Sequence, residues 1–108
     1  MKIAEILEWI DLIERRPLMV LSDSTVVSLK SYMDGFVDGL GMALKVPKLR
    51  LSITFWYQQK INLQSDMHWI NQILHVNEGK PEAEIKSVIL NALRDYFIEN
   101  PDGYFGAD

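Results

Sequence analysis

Ile3, Ile6, Leu7, Ile10 and Ile13 fall three and four residues apart, with Glu8, Asp11 and Arg15 on the opposite side. That spacing matches the 3.6-residue period and predicts a helix of about three turns. Pro17 closes it, because the residue before a proline is pushed out of the α region, so the helix should stop near Arg16. A short apolar connector, Leu18 to Leu21, leads to Ser22-Asp23-Ser24, three candidate N-caps. Val26, Leu29, Met33, Phe36, Val37, Leu40 and Leu44 then trace the stripe of a second helix, and Ser28, Gly35, Gly39 and Ala43 form a small-residue strip beside it. Each interior glycine costs a helix about 1 kcal/mol relative to alanine. Gly35 and Gly39, one turn apart, therefore predict a close approach, either by another helix in the core or by a partner's backbone.

The next segment reads two ways. Leu49, Leu51, Ile53, Phe55 and Tyr57 alternate with Arg50, Ser52, Thr54, Trp56 and Gln58, which is a strand pattern. Leu49, Ile53, Trp56, Lys60 and Leu63 fit a helix less well, yet a lone strand needs a partner and Leu18 to Leu21 is the one candidate. The balance favours a helix from about Ser52 onward. Ser65 can cap a fourth helix with Met67, Ile70, Ile73 and Leu74 on its inner side, ending before Gly79. Pro81 suits a first helical position, followed by Glu82 and Glu84 where the helix dipole favours acids, and Ile85, Val88, Ile89, Ala92, Leu93 and Tyr96 give a broad apolar face. The expected fold is mainly α: a compact bundle of about five helices. At most one short two-stranded element would join residues near 18–21 to those near 49–55. Residues 1–100 form the single helical domain and 101–108 a C-terminal tail, frayed or docked through Tyr104 and Phe105.

Composition narrows what such a bundle does. With 108 residues, 48% hydrophobic and 24% charged, the chain is an ordinary globular domain. No apolar run approaches the roughly 20 residues of a membrane span, and no membrane role is expected. The opening Met1 to Glu5 runs straight into an acidic amphipathic pattern that a signal peptide's apolar region excludes. The absence of cysteine removes disulfides, thiolate metal sites and cysteine nucleophiles. A cytoplasmic location is the default expectation. The formal net charge of −4 is unevenly spread: residues 1–14 carry −3, residues 45–60 carry +4 and residues 78–108 carry −4. An acidic protein is a poor match for phosphate, so no nucleic acid is expected as partner. The basic cluster at 45–60 is the one place where a phosphate-binding surface stays open as an alternative; the favoured reading is a solvated loop.

Candidate chemistry is sparse. His68 and His75 stand about 10.5 Å apart along a helix axis, too far to share one metal through ligand bonds near 2 Å, and both are expected at the surface. No serine lies in a nucleophile elbow and no glycine run forms a phosphate loop. No cofactor, metal or catalytic set is therefore expected, and the chain reads as a binding protein rather than an enzyme. Trp9, Trp56 and Trp69 read as core or half-core anchors. Asp34 and Asp38, one turn apart on the second helix, are placed on the face away from both of its strips. They are a solvated polar face or an acidic patch for a basic partner.

From Arg16 to Phe97 the order of features resembles immunity proteins encoded beside bacterial polymorphic toxins. The residues concerned are Arg16-Pro17-Leu18-Met19, Ser28-Leu29 with Gly35 and Gly39, Phe55-Trp56-Tyr57, Trp69-Ile70, and Asn91 to Phe97. The resemblance implies a helical, non-catalytic protein that neutralises a toxin domain encoded by an adjacent gene, by covering its functional surface. Asp34 and Asp38 lead the expected partner-binding residues, with Glu8 and Asp11 next. The rival expectation is a helical adaptor or homodimer with another bacterial partner, using the Gly35/Gly39 strip or the Tyr104-Phe105 tail.

Overall fold

Helix α1 spans Ile3–Arg15 and buries Ile6, Ile10 and Ile13, the stripe its spacing predicts. The computed structural model describes residues 2–105. Beyond α1, Pro17–Met19 form one 3₁₀ turn, with the Leu21 amide donating to the Pro17 carbonyl at 2.7 Å. The apolar connector is thus a tight turn that points Leu18 and Met19 outward and buries Leu21. Among the described residues there is no strand, so the two-stranded pairing of 18–21 with 49–55 does not form.

Helix α2, Val26–Leu44, buries Leu29, Met33, Val37 and Leu40. Its N-cap is Thr25, one residue beyond the expected trio: Thr25 Oγ1 accepts from the Ser28 amide at 3.1 Å. Asp23 supports that cap by accepting from the Thr25 amide, the Thr25 hydroxyl and the Ser28 hydroxyl. The Val26 amide donates to Glu82 from the far end of the chain, at 2.7 Å. At its C-terminus Lys45 takes the left-handed region (φ 58°), and the Val46 amide returns to the Gly41 carbonyl at 2.9 Å. Glycine usually fills that position.

Helix α3, Leu49–Ile61, runs the full length of the ambiguous segment and begins three residues before the expected start. Leu49, Ile53, Trp56 and Tyr57 are buried, whereas Leu51 and Phe55, two of the five residues of the apparent strand face, are exposed. Helix α4, Trp69–Val76, starts later than Ser65 predicts. The Ser65 hydroxyl caps only a local turn at Met67. The Trp69 amide is instead capped from α3 by the Thr54 hydroxyl at 3.1 Å. Helix α5, Glu82–Glu99, has Pro81 as its cap residue and buries Ile89, Leu90, Ala92, Leu93, Tyr96 and Phe97.

The tail is docked through Phe105. The buried Tyr96 hydroxyl donates to the Gly103 carbonyl at 2.5 Å and lies 2.7 Å from the Ser52 hydroxyl, which also accepts from the Phe105 amide at 3.0 Å. Three elements meet in that chain, and Phe105 packs against the core. Residues 106–108, the rest of the expected tail, lie outside the described residues. The whole measures 38 × 31 × 19 Å, about two helix diameters thick. No helix among the described residues is long and apolar enough to cross a membrane.

Candidate interaction surface

Helix α2 has neighbours on both flanks, and this relocates the features expected at its surface. Arg50, in the first turn of α3, places Nη2 2.6 Å from Asp38 Oδ2 and 3.2 Å from the Asp34 carbonyl. Asp34 is half-buried and Asp38 is exposed but paired. Both lie on the flank of α2 beside α3, Asp38 open to solvent, and with Arg50 between them they do not form an unopposed acidic patch. The outward face of α2 is the glycine strip itself. A Cβ added at Gly35 or Gly39 would meet nothing within 4 Å, so no helix of the core makes the close approach expected there, and of the two expectations only a partner's backbone is left. The close approach is at Gly41, where a Cβ would stand 3.1 Å from the Val46 carbonyl oxygen and 3.2 Å from Leu49 Cβ.

His68 caps α4 and is half-buried, not at the surface as expected, while His75 is exposed. Burial lowers the His68 pKa, with Lys30 and Arg50 acting in the same direction and Asp34 opposing them, so the ring is neutral near pH 7. Among the described residues no three histidine or acidic side chains gather into a metal-binding group. The basic cluster is partly consumed inside the fold: Arg50 pairs with Asp38, and Lys60 pairs with Glu99 at 2.8 Å while lying over the Trp56 ring. Lys45 and Lys48 remain exposed around the α2–α3 turn.

The acids of α1 divide by the side they face. Asp11 and Glu14 both accept from Arg94 of α5, at 2.7 and 3.0 Å. Glu5 and Glu8 are exposed and make no ion pair among the described residues. Of the four expected partner-binding residues, Asp34 and Asp38 thus lie at the α2–α3 notch, Glu8 and Asp11 lie on α1, and Glu8 alone is both exposed and without an ion pair.

Sequence reasoning missed the aromatic surface beside these acids. Trp56 and Trp69 are core, but Trp9 is 41% exposed. Its indole Nε1 donates to the Tyr32 hydroxyl at 2.6 Å, and Tyr32 stacks on Phe36 with centroids 5.6 Å apart and planes 17° apart. Glu5, Ile6, Trp9, Tyr32 and Phe36 line a cleft of about 410 Å³ between α1 and α2. The available signal was Trp9 off the isoleucine stripe of α1, together with Tyr32 and Phe36 one turn apart on one flank of α2. No protein-family profile, curated protein or solved structure matches this chain.

Proposed function

We propose that the chain is a small non-catalytic binding protein of the immunity type, working in the cytoplasm to neutralise a toxin domain by covering its functional surface. The observation that carries this reading is the outer face of α1, where Glu5 and Glu8 stand exposed without a cation paired to them among the described residues. Several other acids are matched: Asp11 and Glu14 by Arg94, Asp38 by Arg50 and Glu99 by Lys60. The exposed Asp66, Glu78, Asp95 and Asp102 make no ion pair among the described residues, but they are spread singly over other elements. Unmatched charge at a surface steers an oppositely charged partner and raises its association rate. Occlusion needs a complementary surface and no reacting group, which suits a chain without a recognisable catalytic set. The partner surface is centred on Glu8 and Glu5 with Asp11 at its margin, and Asp34 and Asp38 contribute less because Asp34 is half-buried and the Asp38 carboxylate is already paired with Arg50.

The test is coexpression with the product of the adjacent gene. Wild type should restore growth, and Glu5→Lys/Glu8→Lys should weaken the complex mainly by slowing association. No protection by the wild type refutes the reading for that pair. A second reading, a homodimer, is favoured by one feature: Leu51 and Phe55, one turn apart and 45% and 53% exposed, line a hollow of about 470 Å³ on α3. Light scattering showing a dimer that Phe55→Ser converts to monomer would support it.

A further inference from the structure

The cleft between α1 and α2 combines three features that seldom coincide on a surface left merely to solvent. Its walls are aromatic, its edge is anionic, and it is held in shape without any partner. Trp9, Tyr32 and Phe36 supply the rings. The hydrogen bond from the Trp9 indole to Tyr32 joins the two helices, and the Tyr32–Phe36 stack adds a second constraint. A site fixed in advance spares its ligand the cost of ordering it. Glu5 lines the cleft, and Glu8, exposed three residues later, lies outside the lining on the far side of Glu5 from Trp9, where its charge adds to the local field. Neither carboxylate has a cation of its own among the described residues.

We propose that this cleft receives an arginine side chain presented by a protein partner, its guanidinium lying against the rings of Trp9, Tyr32 and Phe36 and donating to the carboxylate of Glu5, with the charge of Glu8 nearby adding to the attraction. Aromatic faces attract cations, and the planar guanidinium both stacks on rings and offers a fork of donors suited to carboxylates. An ammonium matches the charge but not the plane. An apolar side chain would fill the aromatic part and leave the acids unanswered. A nucleic acid is excluded by repulsion between its phosphates and the acidic edge. The proposal rests on the protein-binding reading above and names the chemistry of one contact within it.

The probe is a short acetylated and amidated peptide, Ala-Leu-Arg-Leu-Ala, with the same peptide carrying neutral citrulline as its control. Both are titrated into the ¹⁵N-labelled full chain while the three tryptophan indole signals are followed. The arginine peptide should move the Trp9 signal saturably and leave those of the buried Trp56 and Trp69 in place. The citrulline peptide should bind roughly fivefold more weakly, and Glu5→Gln/Glu8→Gln should weaken the arginine peptide by a similar factor. The unshifted Trp56 and Trp69 signals of the variant report that it is folded. An unmoved Trp9 signal, an equal response to citrulline, or unchanged affinity in the variant overturns the proposal. So does a Trp9 signal that moves with protein concentration alone, which would assign the cleft to a second copy, whose own Arg15 and Arg16 are exposed. Peptide binding without growth rescue removes the immunity reading and keeps the cleft; rescue without peptide binding does the reverse.

Discussion

Three glycines on one helix should answer the same substitution in opposite ways. Gly35, Gly39 and Gly41 all lie inside α2, and glycine in a helix interior costs about 1 kcal/mol relative to alanine, largely through the freedom it gives the unfolded chain. At Gly35 and Gly39 an added Cβ meets nothing within 4 Å, so nothing in the folded state opposes that gain. The double variant Gly35→Ala/Gly39→Ala should be more stable by about 1–2 kcal/mol, raising the urea midpoint by roughly 1 M for a domain of this size. At Gly41 the new carbon would press on the Val46 carbonyl oxygen at 3.1 Å and Leu49 Cβ at 3.2 Å. Neither atom can swing aside, because one is backbone and the other is bonded directly to the start of α3. Overpacking of this kind costs about 1–3 kcal/mol, so the helical gain is outweighed and Gly41→Ala should lose about 1 kcal/mol net. Urea denaturation followed by circular dichroism reads all three. A midpoint for Gly41→Ala at or above wild type would refute the packing argument, and a lower midpoint for the double variant would restore the close approach at Gly35 and Gly39.

Removing the Tyr96 hydroxyl should free the tail: Tyr96→Phe strands the Gly103 carbonyl and one Ser52 bond, costs about 1–2 kcal/mol, and should speed amide exchange at 103–105. Unchanged exchange there would show that Phe105 packing alone holds the segment. Asp23 is held at a pKa of about 2 by hydrogen bonds from Ser28 and Thr25, below its ordinary 3.8. Its contribution is complete above about pH 4 and is lost as pH falls towards 2, so Asp23→Asn should flatten the acid side of the stability profile; an identical acid limb would contradict this. Arg94→Met should destabilise by about 0.5–1 kcal/mol, since its side chain bridges α5 to two partly exposed acids of α1, and molar salt should narrow the gap to wild type. A salt-independent gap would mean that packing of the arginine stem dominates.

Four of the helices were legible because each turns one dominant apolar stripe towards one core. Ile6, Ile10 and Ile13 on α1, and Ile89, Leu93 and Tyr96 on α5, need only the 3.6-residue period to be found. Helix α3 was not legible because its apolar residues serve two ends. Leu49, Ile53 and Tyr57 are core, while Leu51 and Phe55 face out, and their sum imitates the alternation of a strand. The neighbour of the α2 aspartates was missed for a related reason. A stripe locates the core side of a helix but does not count its neighbours, and α3 covers the flank that carries Asp34 and Asp38 through Arg50, which is distant in sequence. The core-helix reading of the glycine strip missed by the same omission, since the tight contact within the chain is at Gly41 and depends on Val46 and Leu49 beyond the turn.

Net charge alone would also misplace the electrostatic surface. The surplus of four acids is a sum over the chain, whereas a partner meets only what intramolecular pairs leave unmatched. Arg94 is the informative case, because stability and association should respond to it with opposite signs. It holds Asp11 and Glu14 in place and also cancels part of their field beside the unpaired Glu5 and Glu8. Losing it weakens the α1–α5 contact but leaves four uncompensated carboxylates along one helix. If a basic partner approaches α1, Arg94→Met should capture it faster at low salt despite the lower stability, whereas Glu5→Lys/Glu8→Lys should capture it more slowly with stability nearly unchanged. A structural role for these acids predicts instead that both measurements move together. Slower association in both variants would therefore place the partner surface elsewhere on the bundle, and the exposed Leu51–Phe55 pair of α3 would become the next surface to test.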